Sequence, residues 1–136
     1  SDGAYSLVLD ASARPMLLNH SAMLAEILDD LRRGVPPPVI SARFHRALVR
    51  AAVDTSLAAR DTLSEEEWPH FRGRGLVVLS GGCFQNAFIL PAVSAALEDA
   101  GFSVFIPEHF PVNDGAISLG QAVAAASLLV EESRNA

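Results

Sequence analysis

One cysteine, Cys83, is all that the 136 residues contain, so the chain can form neither an internal disulfide nor a thiolate metal cage, which fits a reducing compartment. No apolar run is long enough to cross a bilayer, and the opening SDGAYS lacks the basic and apolar regions of a signal peptide. The expectation is a soluble, cytoplasmic chain with no membrane partner. Positive charge is sparse and dispersed: ten Lys and Arg face sixteen Asp and Glu, for a net charge of -6. Without a basic cluster to neutralise phosphates, no nucleic-acid partner is expected. Arg32, Arg33, Arg43, Arg46 and Arg50 lie scattered along helical stretches and read as a solvated face. Charged residues make up only 19% and hydrophobic ones 50%, a balance that excludes disorder and fits helices packed on a sheet. There is no internal repeat. The length suits one domain or part of one and is small for a complete two-substrate enzyme, so the chain reads as a fragment.

Along the chain, Tyr5 to Asp10 alternates as a short edge strand, and Arg14 and Pro15 lead into an adjacent extended piece. Ser21 is placed to cap a helix with Leu24, Ile27, Leu28 and Leu31 on one stripe, ending near Gly34 before the linker Pro36, Pro37, Pro38. A longer helix is predicted from Ser41, with Phe44, Leu48, Ala51, Ala52, Thr55 and Ala59 at helical spacing. Asp61 to Gly75 turns polar and reads as a surface crossover, in which Trp68 and Phe71 cover the edge of the core. A strand at Leu76, a helix from Phe84 to Ala100 stopped by Gly101, and a strand from Phe102 to Ile106 form a β-α-β unit. The last segment, Gly115 to Val130, is apolar nearly all round, the pattern of a helix wedged inside the molecule.

Chemistry concentrates in two stretches, LVVLSGGCFQN and PVNDGAISLGQ. In the first, an apolar strand ends in Ser80, Gly81 and Gly82, and paired glycines allow a sharp turn that presents backbone N–H groups to an anion. The second places an aspartate, Asp114, at the start of a helix. Each feature also has a purely structural reading. The glycines serve equally as a tight strand-to-helix connection, Asn86 as an exposed polar residue, and Asp114 as an N-cap worth about 1 kcal/mol. Cys83 reads as packing rather than as a nucleophile. A triad of Ser80, His109 and Asp114 is disfavoured because LSGGC lacks the G-x-S-x-G elbow. His45, on a largely apolar helix, reads as a hydrogen-bonded structural histidine, and His20 and His70 as loop residues.

LSGGCFQNAFIL and PVNDGAISLGQAVAA, in that order with a helix and strand between them and preceded by ISARFHRALVRAA, resemble the C-terminal region of the HypF carbamoyltransferases that mature nickel-iron hydrogenases. The resemblance runs over nearly the whole chain, with Phe44 and His45 adding to it. It implies an α/β fold, one lobe of an actin-like ATPase (ribonuclease H-like) plan with a mixed sheet flanked by helices, residues 1–136 forming the single C-terminal lobe of the carbamoyltransferase domain.

The same resemblance implies roles for individual residues. Gly81 and Gly82 match the glycine pair that approaches the nucleotide, Asn86 an asparagine that hydrogen-bonds nucleotide or acyl-adenylate, and Asp114 an aspartate of a divalent metal site beside the phosphates. The cofactors implied are ATP or carbamoyl-adenylate and a divalent metal. The implied partners are an N-terminal lobe, an adenylate-forming domain and the HypE maturation protein, whose C-terminal cysteine receives the carbamoyl group in an ATP-dependent transfer. The family's histidine pair with three intervening residues is absent from this sequence, as His20, His45, His70 and His109 show no such spacing. The isolated chain is therefore expected to be inactive. Ala116 stands where the family commonly has a second glycine after the Asp-Gly pair. Two other readings remain: a noncatalytic docking module of the same fold, and a relative that O-carbamoylates a small molecule or threonylcarbamoylates tRNA.

Overall fold

Residues 3–62, 75–110 and 113–134 are described by a computed structural model. In chain order they form β1 (Val8–Asp10), β2 (Leu17–Asn19), α1 (Ser21–Arg32), α2 (Pro37–Thr62), β3 (Leu76–Val78), α3 (Ile89–Asp99), β4 (Ser103–Phe105) and α4 (Ile117–Arg134). β1 and β2 pair antiparallel with Leu9 opposite Leu18, and β3 and β4 pair parallel with Val77 opposite Val104. The pairs are separate two-stranded sheets. Most of the crossover predicted between Asp61 and Gly75, with Trp68, His70 and Phe71, lies outside the described residues.

The parallel pair and α3 are the predicted β-α-β unit, and their packing forms the larger core. Val93 and Leu97, at i and i+4 on α3, are 2% and 1% exposed and meet Leu79 and Phe102 at the strand ends. α2 covers the cluster with Val49, Ala52, Val53 and Leu57. Burying one such leucine is worth roughly 1.5–3 kcal/mol, so this cluster fixes the strand pair, and the glycine turn departs from its β3. α3 ends as predicted at Gly101, whose φ of 88° is cheap only for glycine. The Gly101 N–H donates to the Glu98 carbonyl at 2.9 Å and the Phe102 N–H to the Leu97 carbonyl at 3.0 Å, the paired bonds of a Schellman stop.

The second core, Tyr5, Met23 and Ala47 with Ile27, Ile40 and Phe44, keeps only Ile27 of the predicted stripe of α1. Met23, Ile27 and Asp30 face inward, whereas Leu24, Leu28 and Leu31 are exposed. The cause is a polar anchor that a hydrophobic pattern does not register. Asp30 is buried and accepts hydrogen bonds from the Tyr5 hydroxyl at 2.6 Å and from the Arg43 guanidinium. Arg43 thus leaves the solvated face assigned to it and joins α2 to α1. The Tyr5 hydrogen bond, then that of Arg43, holds the Asp30 carboxyl below the usual carboxylate range, while burial followed by the hydrogen bond to Asp30 raises the Tyr5 phenol.

A depressed carboxyl contributes stability above its unfolded pKa, and that contribution disappears as pH falls through the lower folded value. A raised phenol contributes below its unfolded pKa and loses its contribution as pH rises through the folded one. Tyr5→Phe is expected to cost about 1.5–3 kcal/mol, the range for a hydrogen bond to a charged group. It should also flatten the acid limb of the stability profile, because the first depressor of Asp30 is gone. Urea unfolding at neutral pH and at several values below pH 4 measures both; a variant with an unchanged acid limb would contradict the anchor.

The starts of α1 and α2 differ from expectation. α2 begins at Pro37, not Ser41, because proline suits a first turn, where its missing N–H has no acceptor to lose. The Pro36 carbonyl instead accepts from the N–H groups of Val39 at 2.9 Å and Ile40 at 3.2 Å. Ser21 is the first residue of α1 and caps nothing; its N–H donates to the Asn19 side-chain oxygen at 2.9 Å. The last helix departs furthest. α4 packs chiefly on the turn that precedes it and is exposed from Ile117 to Val130, with Val123 at 59%, Leu128 at 62% and Leu129 at 64%. An apolar surface on all sides requires cover, but the pattern does not say that the cover comes from this chain.

Candidate functional site

Parallel neighbours end at the same edge, so the segments leaving β3 and β4 both depart from the carboxyl ends of one strand pair, the edge at which ligands bind in open α/β sheets. After β3, the Leu79 N–H extends the ladder to the Phe105 carbonyl at 3.0 Å, and the chain then turns at Gly81, with φ 113° and ψ 156°. That conformation belongs essentially to glycine. The Gly81 carbonyl accepts the Phe84 N–H at 3.0 Å and opens a 3-10 turn over Gly82–Gln85. No described residue lies within 4 Å of where a Gly82 side chain would begin, so no packing among the described residues demands glycine there.

The 3-10 turn corrects one expectation: α3 starts at Ile89, so the glycines do not sit directly at an α-helix N-terminus. A turn this short contributes little macrodipole, and its usefulness to an anion lies in leading N–H groups that have no intrahelical acceptor. Cys83, read as packing, is exposed on this turn. Asn86 stands at the junction rather than one turn into the helix. Its side-chain oxygen accepts from the N–H groups of Phe88 at 2.9 Å and Ile89 at 3.1 Å, and its carbonyl accepts from Leu90 at 3.2 Å. It therefore caps α3 in fact while its amide nitrogen reaches His45 Nε2 at 3.3 Å.

On the second turn, the cap predicted for Asp114 belongs to Asn113. The Asn113 side-chain oxygen accepts the Gly115 N–H at 3.0 Å, and its carbonyl accepts that of Ala116 at 3.1 Å. Asp114 is left exposed in the first turn of a 3-10 segment, Asp114–Ala116, that runs on into α4. Among the described residues no hydrogen bond or ion pair engages its carboxylate. Ala116 is accommodated without strain, since no non-glycine residue here has positive φ.

Each turn carries chemistry of its own, an amide beside two glycines on the first and an exposed carboxylate on the second. A free aspartate is a hard oxygen ligand for a divalent cation. Among the described residues no group of three His, Cys, Asp or Glu side chains could hold a metal by itself, so Asp114 could supply only one ligand. A separate groove of ≈ 420 Å³, lined by residues including Ser94, Glu98, Phe105 and His109, contains none of Gly81, Gly82, Asn86 or Asp114. His45 on α2, read as a hydrogen-bonded structural histidine, is hydrogen-bonded to the Ser41 carbonyl and to Asn86; what the sequence did not give is the Asn86 partner, because 41 residues of separation leave no spacing signal. No described helix is long and apolar enough to cross a membrane.

Residues 2–121 match the family described as the second subdomain of the Kae1-like domain of carbamoyltransferase. The chain is 31% identical over 120 residues to a Synechocystis sp. protein named carbamoyltransferase HypF, covering 88% of this chain and 14% of that protein. To a protein of the same name from Rhizobium leguminosarum bv. viciae it is 33% identical over 89 residues, 65% of this chain and 10% of the other. A crystal structure of full-length HypF in its phosphate- and nucleotide-bound form superposes with a TM-score of 0.81 at 32% identity, over 95% of this chain and 16% of the other. The chain thus spans about a seventh of the length of the Synechocystis relative. With its α/β architecture and both motif turns inside the matched region, the chain belongs to the HypF carbamoyltransferase family, as the Kae1-like second subdomain.

Proposed function

We propose that this chain is the nucleotide- and metal-binding C-terminal lobe, residues 1–136, of a protein that transfers a carbamoyl group from carbamoyl-adenylate to the C-terminal cysteine of HypE in nickel-iron hydrogenase maturation. The observation that carries the reading is the family match over residues 2–121, which takes in both the glycine turn and the Asp114 turn. The HypF structure that resembles it is described as phosphate- and nucleotide-bound, which supports a phosphate-handling role for this lobe.

Gly81 and Gly82 hold phosphate oxygens through backbone N–H donors, and Asn86 donates from its amide. Asp114 binds a divalent cation whose other ligands come from the N-terminal lobe. When bound, that cation supplies positive charge beside the phosphates. The chain's own contribution is to position the phosphates and to hold donors and a carboxylate ready, without reorganisation, where charge develops on the departing AMP. The sulfur nucleophile, the adenylate-forming domain and the remaining cation ligands belong to other parts of the assembly, so the isolated chain does not turn over. The exposed apolar α4 suits burial against another part of the parent protein.

Calorimetry with ATP and Mg²⁺ on the intact parent, with carbamoyl transfer assayed beside it, tests the reading. Asp114→Ala is expected to weaken cation affinity at least about tenfold, in line with the loss seen when metal-site groups are removed. Unchanged ATP affinity, metal content and transfer in both Asp114→Ala and Asn86→Ala would remove these residues from the site. A silent titration of the parent would favour a docking module instead.

A further inference from the structure

The amide of Asn86 has two acceptor sites and two donor hydrogens, and three of the four are already committed. Its oxygen takes the N–H groups of Phe88 at 2.9 Å and Ile89 at 3.1 Å, both of which can only donate, so the oxygen must point at the helix start. The nitrogen then lies 3.3 Å from His45 Nε2. On the far side of the imidazole, Nδ1 stands 2.7 Å from the Ser41 carbonyl, which can only accept. Nδ1 therefore carries the ring proton, and in the neutral ring Nε2 offers a lone pair to an Asn86 hydrogen. The Phe88 ring meets the imidazole edge-on at 5.4 Å and 83°. Each group in this chain of contacts fixes the polarity of the next. What remains of Asn86 is one N–H, on an exposed residue beside the glycine turn.

We infer that His45 is a positioning residue that locks the Asn86 amide as a single-hydrogen donor, so that the ligand atom met there is an acceptor, a phosphoryl or carbonyl oxygen. The inference rests on the reading that Asn86 meets the nucleotide. It narrows that reading, because an asparagine whose oxygen is fully occupied cannot accept from a ribose hydroxyl or an adenine amino group. It also joins the turn to α2, so that the edge of the site is set by two elements instead of one.

A merely structural His45 would act as a ring stapling α2 to Phe88, and two substitutions separate the roles. His45→Phe keeps a ring against Phe88 but removes the acceptor; His45→Gln loses the ring but places a carbonyl oxygen near the position of Nε2. In the intact parent, His45→Ala and His45→Phe are expected to weaken ATP binding in the presence of Mg²⁺ by about twofold to tenfold, the range of one lost hydrogen bond. His45→Gln should recover most of that loss. In an Asn86→Ala background, His45→Phe should change nothing further.

Rescue by Phe and not by Gln, or an undiminished effect of His45→Phe in the Asn86→Ala background, would overturn the inference while leaving the site reading intact. An Asn86→Ala protein with unaltered ATP affinity would overturn both. Ring ¹⁵N shifts of His45 in the histidine-labelled wild-type protein give a readout independent of variant folding. A proton on Nδ1 and a bare Nε2 are expected, and the opposite tautomer overturns the inference.

Discussion

Leu97→Ala should lower the unfolding free energy of the chain by about 2–5 kcal/mol, the range for truncating a fully buried leucine. Leu97 is 1% exposed, and it faces Leu79 and Phe102, which bracket the two parallel strands. Truncation both removes apolar burial and leaves a space that β3, β4 and α2 can close only by shifting. A loss of this size is a large fraction of the stability of an ordinary domain, about 5–15 kcal/mol. The urea midpoint should fall with little change in slope, marking a weakened native state rather than a different unfolded one. Leu128→Ala, at 62% exposure on α4, is the control and should stay within about 0.5 kcal/mol of the wild type in this chain. Equal effects at the two positions would mean that α3 does not clamp the strand pair as described.

The contrast between those leucines also marks what the sequence made legible. The β-α-β unit could be read because its signals are local: Val93 and Leu97 repeat at helical spacing, and Gly101 supplies the left-handed residue of the stop. The orientation of α1 could not. Its inward face is chosen by Asp30, whose partners Tyr5 and Arg43 lie 25 and 13 residues away. A polar residue on an apolar stripe looks like solvent exposure until those partners are in place. α4 failed for another reason, since periodicity reports how much apolar surface a helix has but not which molecule covers it.

The two candidate turns fall between these cases. Gly81, Gly82, Asn86 and Asp114 were found by motif, and the fold adds how each is held. Asn113 takes over the cap and leaves the Asp114 carboxylate without a partner among the described residues, while Asn86 caps α3 and turns its nitrogen toward His45. Neither division of labour can be read from residue type, because asparagine and aspartate serve equally well as caps.

Gly82→Ala should leave the stability of the chain within about 0.5 kcal/mol of the wild type and yet weaken ATP binding by the intact parent by about tenfold or more, equivalent to roughly 1.4 kcal/mol. The prediction depends on what does not surround this glycine. A Cβ at Gly82 meets nothing within 4 Å among the described residues, and the residue has no left-handed φ, so neither packing there nor backbone strain requires glycine. If phosphate oxygens approach this backbone, a methyl group occupies their place and the N–H donors lose their reach. Gly81→Ala differs in kind. With φ at 113° it should cost about 1–3 kcal/mol of stability by backbone strain, and it should weaken ATP binding by redirecting the turn. Only Gly82 separates folding from ligand contact, so unchanged ATP affinity in Gly82→Ala would reduce the glycine pair to a strand-to-helix connection. A stability loss there as large as that of Gly81→Ala would instead show that the space around Gly82 is filled.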